Sequence, residues 1–285
     1  MSLRTATPLK HAVLLAGAVA MAFPFYWMIT TSFKSFAEAG EFPPTLLPTS
    51  WHFENWLEAW NQPNANWATG FRNTIIVTIA TVLGDLATAA LAGYAFARMR
   101  FRGRNLLFTL FLATLMIPSE ATLIPNYVLV SKSTRACLGL PCLGLYDSLA
   151  VQVVPYLASV FSIFLMRQFF LAVPQELHDA ATLDGAGHAR FLWSVALPLV
   201  RPALITVALI SALASWNSFL WPLLVTSRDE FRPLQVSLAQ FNQEYGSLYH
   251  LAMAGATFVI LPMAAVYLVA QKYFIEGIAR TGIRG

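Results

Sequence analysis

The stretch PQELHDAATLDGAGHARFLWSVALPLVRP, Pro174–Pro202, decides how this chain is read. It is polar and helix-forming at its start, and it lies between two long apolar segments, 147–171 and 199–224. Pro174 suits a helix start, where a missing N–H removes no hydrogen bond. Glu176 falls in the first turn, where a carboxylate meets the positive end of the helix dipole. Leu177, Ala180, Ala181 and Asp184 share one face by i, i+3, i+4 spacing. That face is mostly small, so another protein surface can approach its backbone closely. Gly185 ends this helix, and Ala186–Ala196 reads as a second short helix whose large apolar groups are Phe191 and Trp193. A helix lying on lipid needs a bulky apolar face, which the first helix lacks. The stretch therefore predicts a helix, a hinge and a second helix, all outside the bilayer.

Outward from it, six apolar segments stand out, near 11–31, 73–97, 106–130, 147–171, 199–224 and 250–273. Each is long enough to cross about 30 Å of hydrocarbon as a helix. Lipid offers no partner to an unpaired backbone group, so spans must be helices or a closed barrel. The short alternating segments of a barrel do not occur. Composition agrees: 57% of the 285 residues are hydrophobic and 11% are charged, against about 25% charged in a soluble domain. The expected fold is an all-α integral membrane protein, one transmembrane domain over 1–285 with a cytoplasmic loop, 174–198, between the fourth and fifth spans.

Basic residues orient the spans. Arg4, Lys10, Arg98, Arg100, Arg102, Arg104, Arg167, Arg190, Arg201, Lys272, Arg280 and Arg284 collect on one side. Lys34, Arg72, Lys132, Arg135, Arg228 and Arg232 lie on the other, a bias of two to one. Both termini and the Pro174–Pro202 loop are therefore expected in the cytoplasm. The formal charge of +4 does not gather into a stripe, which argues against a nucleic-acid partner. Ala18-Val19-Ala20 resembles a signal-peptide cleavage site, but the apolar run continues through Phe25, Trp27 and Ile29, so the helix is read as retained. In the long outer loop, Trp51, Trp56, Trp60 and Trp67 suit the membrane–water boundary or a docking surface. Cys137 and Cys142 share one short loop, and a disulfide and two free thiols both stand as readings.

The run Glu176-Leu177-x-Asp179-Ala180-Ala181-x-Leu183-Asp184-Gly185-Ala186, followed by Phe191 and Pro198-x-x-x-Pro202, resembles the EAA loop of binding-protein-dependent ABC importer permeases. The sugar-uptake, maltose-like type is the nearest resemblance. Further matches are Asn73-Thr74-Ile75-Ile76-Val77, Tyr94-Ala95-Phe96-Ala97-Arg98, Met116-Ile117-Pro118, Phe164 to Phe170, Trp216-Asn217-x-Phe219 and Tyr273-Phe274-Ile275-Glu276-Gly277. The resemblance implies that the first loop helix is a coupling helix seated in a cytoplasmic ATPase. Its residues would be Glu176, Leu177, Asp179, Ala180, Ala181, Asp184, Gly185 and Ala186, with Arg190 and Phe191 beyond them. It also implies a second homologous permease, two ATPase subunits, an extracytoplasmic solute-binding protein, a sugar or oligosaccharide as cargo, and a bacterial or archaeal cell membrane. Asp179 stands where the family has Glu, which keeps the charge and shortens the reach. The chain has no G-x-x-x-x-G-K-[ST], so ATP and Mg are expected on the partner ATPase and no cofactor or metal in this chain.

Polar groups inside spans usually have a purpose. Asp85 and Glu120 are read as lining a translocation path or pairing with another helix, with Asn126 beside Glu120 and a helix bend between Pro118 and Pro125. Trp216, Asn217 and Phe219 carry rings for stacking on a sugar and an amide for its hydroxyls, or alternatively ordinary helix packing. The polar loop 226–249 resembles a contact for the binding protein. Glycerol phosphate or another polyol is an alternative cargo. A secondary transporter driven by an ion gradient is a rival class, opposed by the lack of an inverted repeat. The His residues are scattered and no H-E-x-x-H occurs, which opposes a membrane metalloenzyme.

Overall fold

The computed structural model describes residues 6–63, 65–131 and 143–281. Every regular element among them is helical. In chain order these are α1 (Ala6–Ser32), α2 (Phe36–Ala39), α3 (Glu54–Trp60), α4 (Trp67–Arg98), α5 (Arg104–Thr114), α6 (Ser119–Val130), α7 (Ala150–Val153), α8 (Val160–Ala172), α9 (Gln175–Leu183), α10 (His188–Phe191), α11 (Leu197–Leu199), α12 (Arg201–Trp216), α13 (Leu220–Val225), α14 (Leu234–Tyr245) and α15 (Tyr249–Thr281). Cys137 and Cys142 lie outside the described residues, as do Arg4, Lys132, Arg135 and Arg284.

Among the described residues three stretches are long and apolar enough to cross a bilayer unbroken: Lys10–Ser32, Trp67–Arg98 and Tyr249–Leu268. Three more qualify only as bent pairs. Arg104–Thr114 and Ser119–Val130 meet at 99°, Ala150–Tyr156 and Val160–Ala172 at 43°, and His188–Leu199 and Arg201–Trp216 at 80°. The expected bend near Glu120 falls at 115–118, ahead of Pro118, while Pro125 stays inside α6. The expected span 199–224 is interrupted at 217–219, between α12 and α13. The 226–249 stretch is not a plain loop, because it contains α14.

The chain divides into two compact units. One is Met1–Trp67 with Ser237–Pro262. Its core is aromatic. The Trp67 indole donates to Ala59 O at 2.9 Å and its ring meets Phe241 and Phe258 at 5.2 and 5.7 Å. Gly255 admits this packing, since a Cβ there would sit 3.1 Å from the Trp67 ring. Trp56 and Trp60 set their edges against Phe258, whereas Trp51 is exposed. The four tryptophans therefore do different work, and Trp67 packs a core rather than marking a boundary. Lys34 is buried and donates to Thr45 O, over the Trp27 ring. Burial would raise the Glu38 carboxyl. Hydrogen bonds from Thr45 and Thr49 and the nearby Lys34 ammonium outweigh that and hold it below the usual range.

The other unit is Ala68–Val236 with Met263–Gly285. Its core joins α4, α8 and α12 through Ala89, Ile163, Met166, Phe170, Ala203 and Val207. Gly93 lets α4 lie against α8: a Cβ there would fall 2.8 Å from Met166 Cβ and 3.1 Å from the Arg167 nitrogen. Small residues at such crossings are how helices associate where lipid removes the hydrophobic drive. Trp221 of α13 donates to Val151 O at 2.9 Å.

Candidate functional site

The first candidate is α9 and its setting. Pro174 is the cap before the helix rather than its first residue. Gly185 adopts φ +79°, and Gly185 and Ala186 donate to Thr182 O and Ala181 O at 3.0 and 2.8 Å. This is the glycine-ended C-cap expected from the sequence. Glu176, Leu177, Asp179, Ala180, Asp184 and Arg190 are exposed. Ala181 is not on that free face. It packs on the core, and Leu183, 90% exposed, takes the outward position. Ala186 is half-buried, and Phe191 is buried, its ring 4.9 Å from His178. The second helical stretch runs to Leu199 with a π-helical turn at Leu192–Ala196.

Residues that were read only for charge or motif hold this loop to the bundle. Arg98 ends α4. Its Nη1 donates to Gln175 Oε1 at 2.7 Å, its Nε and Nη2 donate to Phe170 O at 3.0 and 2.7 Å, and Nη2 also donates to Val173 O. These acceptors sit at the end of α8, where a helix leaves carbonyls without intrahelical donors. Tyr94 Oη lies 3.0 Å from His188 Nδ1, and Gln175 Nε2 donates to Asp179 Oδ1 at 3.0 Å. The available signal was Tyr94-Ala95-Phe96-Ala97-Arg98 itself, whose first and last members face the loop.

The second candidate is a cavity of about 440 Å³ between α4, α8 and α12, with Asp85 in its lining. Asp85 is 2% exposed and accepts from the Ser159 backbone at 3.0 Å and from Ser162 Oγ at 2.7 Å, with a further bond from Ser211. Thr74, Thr81 and Gln152 also line it. The other expected path residues do not. Glu120 is exposed in the first turn of α6 and bonded by Ser119 at 3.0 Å, and Asn126 is half-buried on the same helix. Trp216 is buried at the end of α12. Asn217 caps that helix, donating to Leu213 O at 2.9 Å, and Phe219 is 40% exposed. Trp216, Asn217 and Phe219 are not in the cavity's lining, although Ser215 and Ser218 are. Among the described residues no group of His, Cys, Asp and Glu could hold a metal ion.

Residues 87–280 match the family model described as binding-protein-dependent transport system inner membrane component. The chain belongs to this family. The permease is 31% identical to the arabinooligosaccharides transport system permease protein AraQ of Halalkalibacterium halodurans, covering 99% of both chains. It is 30% identical to the sn-glycerol-3-phosphate transport system permease protein UgpE of Yersinia pestis, covering 94% of each. Its structure superposes with a TM-score of 0.81, at 26% identity, on a chain of a bacterial ABC transporter involved in the import of the acidic polysaccharide alginate, covering 96% of this permease and 99% of that chain. Family and fold together make it a multi-pass membrane component of a transport system.

Proposed function

We propose that this permease translocates a sugar or oligosaccharide inward as one of two different permease subunits, powered by two cytoplasmic ATPases that carry ATP and Mg, and fed by an extracytoplasmic binding protein. The observation that carries the reading is α9: a short polar helix with an exposed outer face, tied by Arg98 to the ends of α4 and α8. A push on such a helix reaches the apolar bundle through hydrogen bonds rather than through a flexible linker. Glu176, Leu177, Asp179 and Ala180 form the contact with the ATPase. Asp184, Gly185 and Ala186 fix the angle at which the loop leaves the helix, and Ala181 and Phe191 anchor it. Arg190 lies beside the contact.

The chain is read as one transmembrane domain over 1–285 with six spans, three of them bent, and both termini in the cytoplasm. In this reading Glu120, Asn126, Asn217 and Phe219 face a path shared with the second permease, with Trp216 behind them and Asp85 inside the bundle. The UgpE likeness favours a second reading of the cargo, glycerol phosphate. Purification from the native membrane with a tag on this chain tests the assembly. Recovery of an ATPase and a second permease, with ATP hydrolysis raised by the loaded binding protein, is expected. Substrate uptake by the purified chain alone in liposomes overturns it.

A further inference from the structure

No residue of α9 lines the cavity around Asp85, among the described residues, yet the cavity's chemistry is specific. Thr81 Oγ1 and Gln152 Oε1 are buried in its lining without a hydrogen-bond partner among the described residues. Thr81 is 4% exposed and Gln152 is 3% exposed. A buried oxygen left unpaired costs about 1–3 kcal/mol, so two on one cavity mark where something else bonds. Gln152 Nε2 already donates to Phe231 O at 2.8 Å, which leaves Oε1 as an acceptor with no donor. Asp85 is in the opposite condition. It already accepts from Ser159, Ser162 and Ser211, so no cation is needed to satisfy it.

Among the described residues no Lys, Arg or His lines the cavity. An anionic ligand would lie beside a carboxylate, in a low-dielectric bundle, with no countercharge. A ligand hydroxyl both donates and accepts, which is what Gln152 Oε1 and Thr81 Oγ1 together require. Pro155, Tyr156, Ile210 and Pro222 add apolar wall of the kind on which the C–H faces of a sugar pack. The volume of about 440 Å³ falls within the range of roughly 300–1,000 Å³ typical of small-molecule sites.

We infer that this cavity, lying wholly within residues 68–236, binds a neutral polyhydroxylated ligand, one sugar residue or a small polyol, through Thr81 and Gln152, and rejects phosphorylated analogues. The inference deepens the cargo reading above and rests on it. It separates two chemistries that the relatives leave side by side, a neutral glycan and a phosphate ester.

The test uses the whole transporter in lipid nanodiscs, with Cys137→Ser, Cys142→Ser and Ser218→Cys in this chain. Ser218 lines the cavity and is half-exposed. Alkylation of the new thiol by a polar maleimide is timed with arabinotriose, glycerol or sn-glycerol 3-phosphate present. A neutral probe at ten times its Kd should slow labelling about tenfold, because the free fraction falls as 1/(1 + [L]/Kd). The phosphate should leave the rate unchanged. Thr81→Val should abolish the protection, and Ala214→Phe should abolish it by filling the space, both in assemblies that still elute intact from size-exclusion. Unchanged labelling with both neutral probes means a cavity that holds water only and overturns the inference. Equal protection by the phosphate overturns its selectivity. The broader reading fails separately, if the unmodified assembly shows no stimulation of ATP hydrolysis by the binding protein.

Discussion

Arg98, the last residue of α4, donates from Nη1 to the side chain of Gln175, the first residue of α9, at 2.7 Å. The same guanidinium holds Phe170 O and Val173 O at the end of α8. One planar group with five donors thus links three chain segments, a geometry that lysine cannot reproduce from a single nitrogen.

Arg98→Ala should leave the permease in the membrane yet disconnect the loop. The expected outcome is uptake lowered at least tenfold while ATP hydrolysis persists, measured together in reconstituted transporter. Hydrogen bonds to a charged group are worth about 1.5–3 kcal/mol each, so losing several is ample for that effect. Arg98→Lys should recover only part of the uptake. Uptake at the unmodified level in both variants would remove Arg98 from the force path.

Gly185 tests the shape of the loop. Its φ of +79° disfavours a side chain, but a Cβ there meets nothing within 4 Å. Gly185→Ala should therefore cost about 1–2 kcal/mol through backbone conformation alone and leave measurable uptake. Gly185→Pro cannot adopt that φ and loses the N–H that bonds Thr182 O. It should abolish uptake with the protein still inserted, as should Glu176→Lys, which reverses charge in the first turn of α9. Full uptake by both would count against α9 as the point where force enters.

Gly93 tests the bundle rather than the loop. With Met166 Cβ 2.8 Å and the Arg167 nitrogen 3.1 Å from any added Cβ, Gly93→Val must push α4 and α8 apart. Overpacking of this kind costs about 1–3 kcal/mol. The expected result is a lower apparent Tm in detergent and less protein in the membrane, read by fluorescence-detected size-exclusion. Gly103→Ala makes the control. Its glycine also has positive φ but has nothing within 4 Å, so it should show a conformational penalty without separating helices.

Much of this was legible in the chain. Apolar length and the shortage of charge announced α1, α4 and α15, because spanning lipid leaves few other solutions. Glu176 in a first turn and Gly185 at a C-cap announced α9. The face of α9 was misread at Ala181, since i, i+4 spacing groups residues but only packing says which group turns inward. The split at 217–219 has no glycine or proline within it. Its signal was Pro222, which suits the first turn of a new helix and so implied that one begins just upstream at Leu220. Residues 234–245 read as loop because Gln and Asn outnumber charges there, yet Leu234, Val236 and Phe241 are buried. Asp85 was legible as costly and therefore purposeful. The unpaired oxygens of Thr81 and Gln152 were not, because an unsatisfied atom is a property of three-dimensional surroundings.

Asp147 gives a test by pH. It has φ +60°, a conformation that aspartate tolerates better than most residues, and its carboxylate closes the turn after α13. Oδ1 accepts from the Ser227 and Arg228 backbone at 2.9 and 3.0 Å, and Oδ2 from Arg228 Nε at 2.6 Å. Burial alone would raise this carboxyl. The two backbone donors and the Arg228 guanidinium outweigh it and hold the pKa at about 2, below the usual aspartate range. A lowered folded pKa means that the stabilisation is complete above the unfolded value and is lost as pH falls through the folded one. Because Arg228 is half-exposed, the contribution is about 1 kcal/mol after screening. Asp147→Asn should therefore lower the apparent Tm at about pH 7, and its deficit against the unmodified permease should shrink to about half near pH 3. A deficit that stays constant over that range would mean that shape, not charge, holds the turn.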